Sequence, residues 1–289
     1  MGTFARVYVA VNKDTQEWVA LKVMLKAEIV HKHQIQHIKN ERDILCTLES
    51  PFIVAFKGSF QDEERLYIVQ EWVQRGDLST VLQLKGRLSP SEVIFYAAEV
   101  VCALCYLHTK RTIYRDLKPE NVLIARSGHI RLADFGFAKV LKDSERTHSL
   151  CGSPEYIAPE VTKGTGHSYG ADWWSCGVFI YELLFGKTPF QAASGHQVMV
   201  NAVYREVVYP QECSLAARNL LEGLLQKAPE NRLSESAILT HAFFSEISWA
   251  KVRKRRLKPP LLPVIRSEWP EEGLRTGAAV ASNLFLSFG

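Results

Sequence analysis

Three short segments of the sequence hold side chains whose types and spacing could carry out chemistry. They are Val19–Lys22, Tyr114–Asn121 and Asp134–Gly136. Their lysine, aspartate and asparagine side chains can neutralise an anion, hold a divalent cation or accept a proton. Each residue taken alone has an ordinary explanation, because a lysine at a strand end is usually solvated and a lone helical glutamate usually lies at the surface. The interpretation therefore depends on the segments as a set.

The order of these segments, followed by Ala158–Glu160, resembles the signature motifs of the eukaryotic protein kinases. The resemblance implies an α+β, bilobal fold, with a small lobe of antiparallel sheet plus one main helix and a large, mostly helical lobe. It also implies a serine/threonine protein kinase that uses ATP and Mg²⁺. Lys118 in the second segment argues against a tyrosine kinase.

The resemblance gives the motif residues their roles. The implied catalytic residues are Lys22, Glu41, Asp116 and Lys118, and the implied Mg²⁺ ligands are Asn121 and Asp134. Phosphoryl transfer mainly requires positioning and charge neutralisation, so Lys22 would hold the α- and β-phosphates while Asp116 takes the proton of the acceptor hydroxyl. The residues implied to contact ATP are Gly2, Val7, Ala20, Lys22, Glu71, Val73, Asp77 and Leu123.

Other family positions are structural. Glu160 and Arg232 match a buried ion pair, and residues 172–177 match a scaffold segment. The residues that match a stacked column between the lobes are Leu45, Phe56, Tyr114 and Phe135.

Within the family, the chain resembles the AGC group, and in that group the catalytic subunits of cAMP-dependent kinases. Tyr114 and the segments 134–139 and 150–156 carry this resemblance, which covers most of residues 2–263. It implies an activation-loop phosphate on Ser149. The implied basic ligands of that phosphate are His37, Arg115 and Lys139. An upstream activating kinase is then an implied partner.

The resemblance also implies how substrates are selected. Glu120 and Glu182, with Glu155, match carboxylates that bind an arginine upstream of the acceptor. Leu150, Pro154 and Ile157 would line an apolar pocket for the residue after the acceptor. We therefore expect protein substrates with Arg-x-x-Ser or Arg-Arg-x-Ser followed by an apolar residue.

The chain departs from the family pattern in its first residues. Of the glycine-rich loop only Gly2 and Val7 match, and Ala5 replaces the third glycine. We expect an N-terminally truncated small lobe that lacks its first strand and binds nucleotide less tightly, since backbone close to phosphate favours glycine. The alternative is a catalytically weak or inactive kinase-fold scaffold or fragment.

Three further departures concern the nucleotide pocket and partners. Gln70 stands at the position that borders the back of the pocket, where a polar amide is unusual. His148 and Met199 replace aromatic residues that hold the cAMP-type regulatory subunit, which argues against that partner. Phe285 and Phe288 are either a tail motif that docks on the small lobe or a coincidence of two aromatics.

Composition agrees with a protein that works in a reducing compartment. The six cysteines form no framework, and we expect the Cys102-x-x-Cys105 pair to be helical core, with a metal or redox site as the alternative. We expect no membrane span, and the net charge of +4 does not require DNA. The predicted location is the cytoplasm, with nuclear import through the basic residues 251–258 as a second alternative.

Hydropathy patterns predict the elements that must position these residues. We expect strands at 4–11, 17–24, 52–60 and 66–72, and a helix from about Glu28 to Leu48. Ser89-Pro90-Ser91-Glu92 predicts the start of a helix that ends near His108, and further helices are predicted near 172–185, 194–204, 214–226 and 234–240. The predicted division is 1–70 for the small lobe, 71–74 for the hinge, 75–250 for the large lobe and 251–289 for the tail.

Overall fold

A computed structural model describes residues 5–32 and 34–260. Its N-terminal part is an antiparallel sheet of four strands in the order β1-β2-β4-β3. The strands are β1 (Ala5–Val11), β2 (Trp18–Leu25), β3 (Phe56–Gln61) and β4 (Arg65–Glu71). The strands predicted at 4–11 and 17–24 are confirmed and form a hairpin. Its turn is closed by Asn12, whose Oδ1 accepts the N–H groups of Asp14 and Thr15 at 2.9 and 3.1 Å.

The predicted helix from Glu28 to Leu48 is wrong as a single element. The chain forms two helices, α1 (Lys26–His31) and α2 (Ile35–Thr47). Ile29 and Ile38 are both buried, yet nine residues of continuous helix would turn them to opposite faces. A break between the helices lets both side chains reach the core.

The third strand begins later than predicted, at Phe56 instead of Phe52. Residues 52–54 leave the sheet because they bond to the large lobe. Leu132 donates its N–H to the Phe52 carbonyl at 2.7 Å, and Val54 donates to the Leu132 carbonyl at 2.9 Å.

The remainder is mainly helical, with four short strands. The helices are α3 (Leu78–Lys85), α4 (Pro90–Thr109), α5 (Pro159–Thr162), α6 (Gly170–Phe185), α7 (Gly195–Tyr204), α8 (Leu215–Leu224), α9 (Glu235–Leu239) and α10 (Trp249–Arg253). The strands are β5 (Thr112–Ile113), β6 (Val122–Ile124), β7 (Ile130–Leu132) and β8 (Lys139–Val140). Strand β5 pairs with β8 and β6 with β7. The second sequence motif therefore lies between β5 and β6, and the third lies between β7 and β8. The α+β fold predicted from the sequence is confirmed.

Helix α4 forms the centre of the large lobe. It starts at the predicted capping box, in which Ser89 and Glu92 each accept the other's backbone N–H. By length and a mean hydropathy of 1.4 it could span a membrane, which corrects the expectation that no segment could. Since 72% of that window is buried inside the fold, it is better explained as a core helix. Cys102 is buried in it and Cys105 half-buried, and burial raises the pKa of both thiols.

Candidate active site

Lys22, on β2, reaches two carboxylates that come from different elements. Its Nζ lies 2.6 Å from Glu41 Oε1 on α2 and 3.3 Å from Asp134 Oδ1 in the loop after β7. Burial by itself would lower the pKa of Lys22, but the two carboxylates raise it above its ordinary value. The structure therefore brings together three residues that are far apart in the sequence, since Lys22 and Asp134 are separated by 112 positions. The charged ammonium of Lys22 lies between the two carboxylates.

Asp134 has about half of its side chain exposed. Its Oδ1 also accepts the N–H of Gly136 at 3.2 Å. Burial opposes ionisation, yet Lys22 and this N–H together hold the pKa of Asp134 below its ordinary value. A carboxylate at this position stays charged at neutral pH.

The loop between β5 and β6 places Asp116 beside Asn121 and Lys118. Asn121 Nδ2 donates to Asp116 Oδ2 at 2.7 Å, and Lys118 Nζ lies 3.0 Å from the same oxygen. Asp116 is only 3% exposed, and this burial raises its pKa against the opposing effect of Lys118 and Asn121. Its basicity is therefore greater than that of a free aspartate, as suits a proton acceptor.

Ser153 belongs to this group, although the sequence interpretation gave it no role. Its Oγ donates to Asp116 Oδ1 at 3.2 Å and accepts from Lys118 Nζ at 2.8 Å. The contact joins positions 37 residues apart, so no local pattern could reveal it. The only signal was its place in the segment shared with the AGC group.

Asp172, in α6, holds the loop that carries Asp116. Its fully buried carboxylate accepts the N–H groups of Tyr114 and Arg115 at 3.0 and 2.8 Å, and lies 2.8 Å from His108 Nε2. Arg115 has a φ of +70°, which costs energy for a side chain other than glycine. These bonds offset that cost. Asp172 therefore has the scaffold role that the sequence predicted for its segment.

The residues of the predicted column pack through the core. Leu45, Tyr114 and Phe135 are buried, and Phe56 packs against them as a partly buried side chain. The rings of Tyr114 and Phe135 have centroids 5.2 Å apart. This contact links the loop of Asp116 to the segment of Asp134.

The predicted nucleotide contacts lie on the sheet and on the segment after it. Ala20 pairs with Gln70 across β2 and β4, and Val7 on β1 is 64% exposed. Val73 is buried, whereas Asp77 caps α3 by accepting the N–H of Thr80 at 2.7 Å and forms a bridge with Leu123.

Two predicted contacts around the nucleotide pocket have other features. Glu71 turns its carboxylate to Arg131 Nε, 2.6 Å away, and its N–H donates to the Ala55 carbonyl at 2.8 Å. Gln70 has a buried Nε2 with no hydrogen-bond partner among the described residues. Gly2, Phe285 and Phe288 lie outside those residues.

The three basic residues predicted around Ser149 each have another partner. His37 Nδ1 lies 2.6 Å from Gln34 Oε1, Arg115 Nε donates to the Phe137 carbonyl at 2.6 Å, and Lys139 Nζ lies 2.8 Å from Glu145 Oε1. Ser149 itself is exposed. Strand β8, which contains Lys139, packs against α2, which contains His37, and pairs with β5, which ends two residues before Arg115.

The carboxylates predicted to bind arginine influence one another. Tyr156, missed in the sequence interpretation, donates its hydroxyl to Glu182 Oε2. Burial raises the pKa of Glu182, and the charges of Glu120 and Glu155 raise it further against that bond. The three carboxylates are therefore close enough to repel and would gain from a shared cation.

The residues predicted to line the apolar pocket differ in exposure. Leu150 is 61% exposed, Pro154 is half-buried and Ile157 is buried.

Comparison with known proteins agrees with this geometry. The model of the protein kinase domain family matches residues 1–244. A serine/threonine-protein kinase of Arabidopsis thaliana, AtPK2/AtPK19, is 42% identical over 91% of this chain and 57% of its own length. The human cAMP-dependent protein kinase catalytic subunit PRKX is 37% identical over 96% of this chain and 81% of its own length. The chain thus spans little more than half of the first relative and about four fifths of the second.

Proposed function

The chain belongs to the protein kinase family, and we propose that it transfers the γ-phosphoryl group of ATP to serine or threonine in proteins that carry arginine upstream of the acceptor and an apolar residue after it. The observation that carries the proposal is the contact of Lys22 with both Glu41 and Asp134, at 2.6 and 3.3 Å. Family likeness alone would not require this charged group to be assembled.

Each charged group then has a task that its surroundings support. Lys22, fixed by buried Glu41, would neutralise the nonreacting phosphates. Asp116 would accept the proton of the substrate hydroxyl, while Lys118, 3.0 Å from it, offsets charge on the moving phosphoryl group. Ser153 would fix the positions of the Asp116 and Lys118 side chains relative to each other, because its hydroxyl bonds to both.

The residues present fit a magnesium ion brought with ATP. Mg²⁺ is usually held by one or two carboxylates together with substrate phosphates. Asp134 offers a charged carboxylate to the cleft, and Asn121 uses its amide nitrogen on Asp116, which leaves the amide oxygen for a cation. Within residues 5–32 and 34–260, no group of three or more His, Cys, Asp or Glu side chains is placed to hold a metal ion by itself, so the ion would depend on the nucleotide. When bound, Mg²⁺ would supply charge neutralisation between the phosphates.

The proposed preference for arginine rests on Glu120, Glu155 and Glu182. Their mutual repulsion, reflected in the raised pKa of Glu182, would be relieved by a guanidinium. A planar guanidinium can bind two carboxylates at once, so arginine should be favoured over lysine. Protein substrates of this type are therefore the proposed partners.

The proposed regulatory site is Ser149, phosphorylated by an upstream kinase. Its added charge of about −1.5 to −2 would attract His37, Arg115 and Lys139. The packing of β8 against α2 and its pairing with β5 support this set.

A cytoplasmic location is also proposed for the protein, since the substrates and ATP would be found there.

The test is transfer of phosphate from Mg·ATP to an Arg-Arg-x-Ser-apolar peptide. Asp134→Ala should lower the rate by at least about 10²-fold, because it removes the carboxylate that would hold Mg²⁺ at the phosphates. Glu222→Ala, a surface substitution on α8, is the matched control. A peptide with both arginines replaced by alanine should be a poorer substrate.

The alternative is a scaffold that has the kinase fold without catalysis. Equal, trace-level transfer by the parent and by Asp134→Ala, with Ser149 phosphorylated, would favour this scaffold and contradict the proposed enzyme.

A further inference from the structure

Lys139 is already paired with a carboxylate of its own segment. Glu145 Oε1 lies 2.8 Å from Lys139 Nζ, and Glu145 Oε2 accepts the N–H of Lys142 at 2.8 Å. Both carboxylate oxygens are therefore engaged, which fixes the side chain next to β8. The bond from Lys139 and that from the Lys142 N–H hold the pKa of Glu145 below its ordinary value, so it is charged at neutral pH.

The same segment is anchored again immediately before Ser149. Thr147 and His167 exchange two backbone hydrogen bonds, of 3.0 and 2.9 Å. His148 Nδ1 lies 3.2 Å from the Gly164 carbonyl. The chain from Lys139 to His148 is thus fastened at both ends by contacts that do not involve the Ser149 side chain.

The order of this segment bears on the reacting groups. Ser153 follows four residues after Ser149 and contacts both Asp116 and Lys118. If residues 139–149 were less ordered, the position of Ser153 would therefore vary, and so would its contact with the proton acceptor Asp116. Of the basic residues predicted to bind a phosphate on Ser149, Lys139 is neutralised by an acid, whereas Arg115 keeps a buried Nη1 with no hydrogen-bond partner in the described part of the chain.

We propose that Glu145 is a positioning residue, a built-in anion that binds Lys139 and orders the activation segment (residues 139–153) until a phosphate on Ser149 displaces it. The inference rests on the proposed function and adds a regulatory property to the same site. A phosphoserine carries about −1.5 to −2 charges against one for the carboxylate, so it competes successfully for Lys139. The expected consequence is that the kinase has appreciable activity before Ser149 is phosphorylated, and that phosphorylation increases this activity only modestly.

The test compares the full 289-residue chain with serine or genetically encoded phosphoserine at position 149. Glu145→Gln keeps the shape of the side chain and removes its charge. It should lower kcat of the unphosphorylated form by about two- to fivefold, as expected for one partly exposed ion pair. The phosphoserine form should be unchanged, so that the activation ratio rises by the same factor.

Matched controls separate this role from a general loss of structure. Glu222 forms a comparable, partly exposed pair with Arg218 at 2.8 Å on α8, and Glu222→Gln should change neither form. Lys139→Ala should remove the effect of Glu145→Gln in the unphosphorylated form, because the partner is gone. The proposal is overturned if Glu145→Gln lowers both forms equally or affects neither form more than the control does.

A second readout keeps the inference separate from the proposed activity. Should neither form of the parent transfer phosphate, the proposed function fails, and amide hydrogen exchange of residues 142–149 decides the inference. Faster exchange in Glu145→Gln that phosphoserine at 149 restores would support it. Equal exchange in all four proteins would overturn it.

Discussion

At the residue scale, the properties of Asp116 result from two opposing influences. Burial raises its pKa, whereas the ammonium of Lys118 and the amide of Asn121 lower it. A proton acceptor works best when its pKa approaches the working pH without exceeding it. We therefore expect the contacts of Asp116 to set the lower pH limit of the proposed reaction.

Replacing Lys118 by alanine should move the acidic limb of the pH–kcat profile to higher pH. The unprotonated carboxylate is the active form, and loss of the nearby positive charge raises its pKa, so activity disappears at a higher pH as the solution is acidified. We also expect kcat on the plateau to fall by about 10²-fold or more, because Lys118 offsets charge on the phosphoryl group.

Lys118→Arg is the control for charge, since it retains the cation while changing the contact with Ser153. Its plateau should fall but its acidic limb should stay near that of the parent. An unchanged limb in Lys118→Ala would mean that Asp116 does not control the profile.

Residues inside compact motifs could be predicted from the sequence, because their neighbours along the chain are also their neighbours in space. Asp116, Lys118 and Asn121 fall within six positions and meet around one carboxylate. The contact of Ser153 with Asp116 depends on the path of the whole activation segment. It could therefore be seen only in three dimensions.

At the element scale, helix beginnings were predicted more reliably than interruptions. The start of α4 is determined by neighbouring residues, since Ser89 and Glu92 form the capping box. The break between α1 and α2 follows from the need to bury Ile29 and Ile38 against parts of the fold that the local sequence does not reveal. The late start of β3 also results from a contact that is distant in sequence, since the Leu132 N–H bonds to the Phe52 carbonyl.

The loop between α5 and α6 makes the activation segment sensitive to acid. His167 is 3% exposed, and burial together with nearby Arg115 lowers its pKa to about 4. In the unfolded chain histidine binds a proton below about pH 6.5. Its contribution to stability is therefore complete above pH 6.5 and is lost progressively as the pH falls towards 4.

His167→Phe should reduce the loss of stability between pH 7 and pH 5 by about 2 kcal/mol. The backbone bridge to Thr147 does not need the imidazole, and Nε2 has no hydrogen-bond partner within the described residues, so the substitution costs little at pH 7. Urea unfolding at the two pH values measures the difference. An identical pH dependence in parent and variant would contradict the assignment.

At the scale of the whole molecule, one buried ion pair joins distant parts of the large lobe. Arg232 Nη1 and Nη2 lie 2.8 and 3.1 Å from the two oxygens of Glu160, in a bidentate arrangement. The partners are 72 residues apart, and Nη1 also donates to the Gly170 carbonyl at 2.6 Å. The start of α5, the start of α6 and the loop before α9 are thus held at one point, as the sequence predicted for this pair.

Removal of one partner from this pair should be far more damaging than the same change at the surface. Glu160→Ala leaves a buried guanidinium without its anion, which costs about 3–5 kcal/mol and corresponds to a fall of about 10 °C in Tm. Glu222→Ala breaks the exposed pair with Arg218 and should cost no more than about 0.5 kcal/mol. Thermal unfolding of the two variants beside the parent makes the comparison. Similar losses in both would show that burial does not govern the stability of this pair, because the two substitutions are chemically identical and differ only in their surroundings.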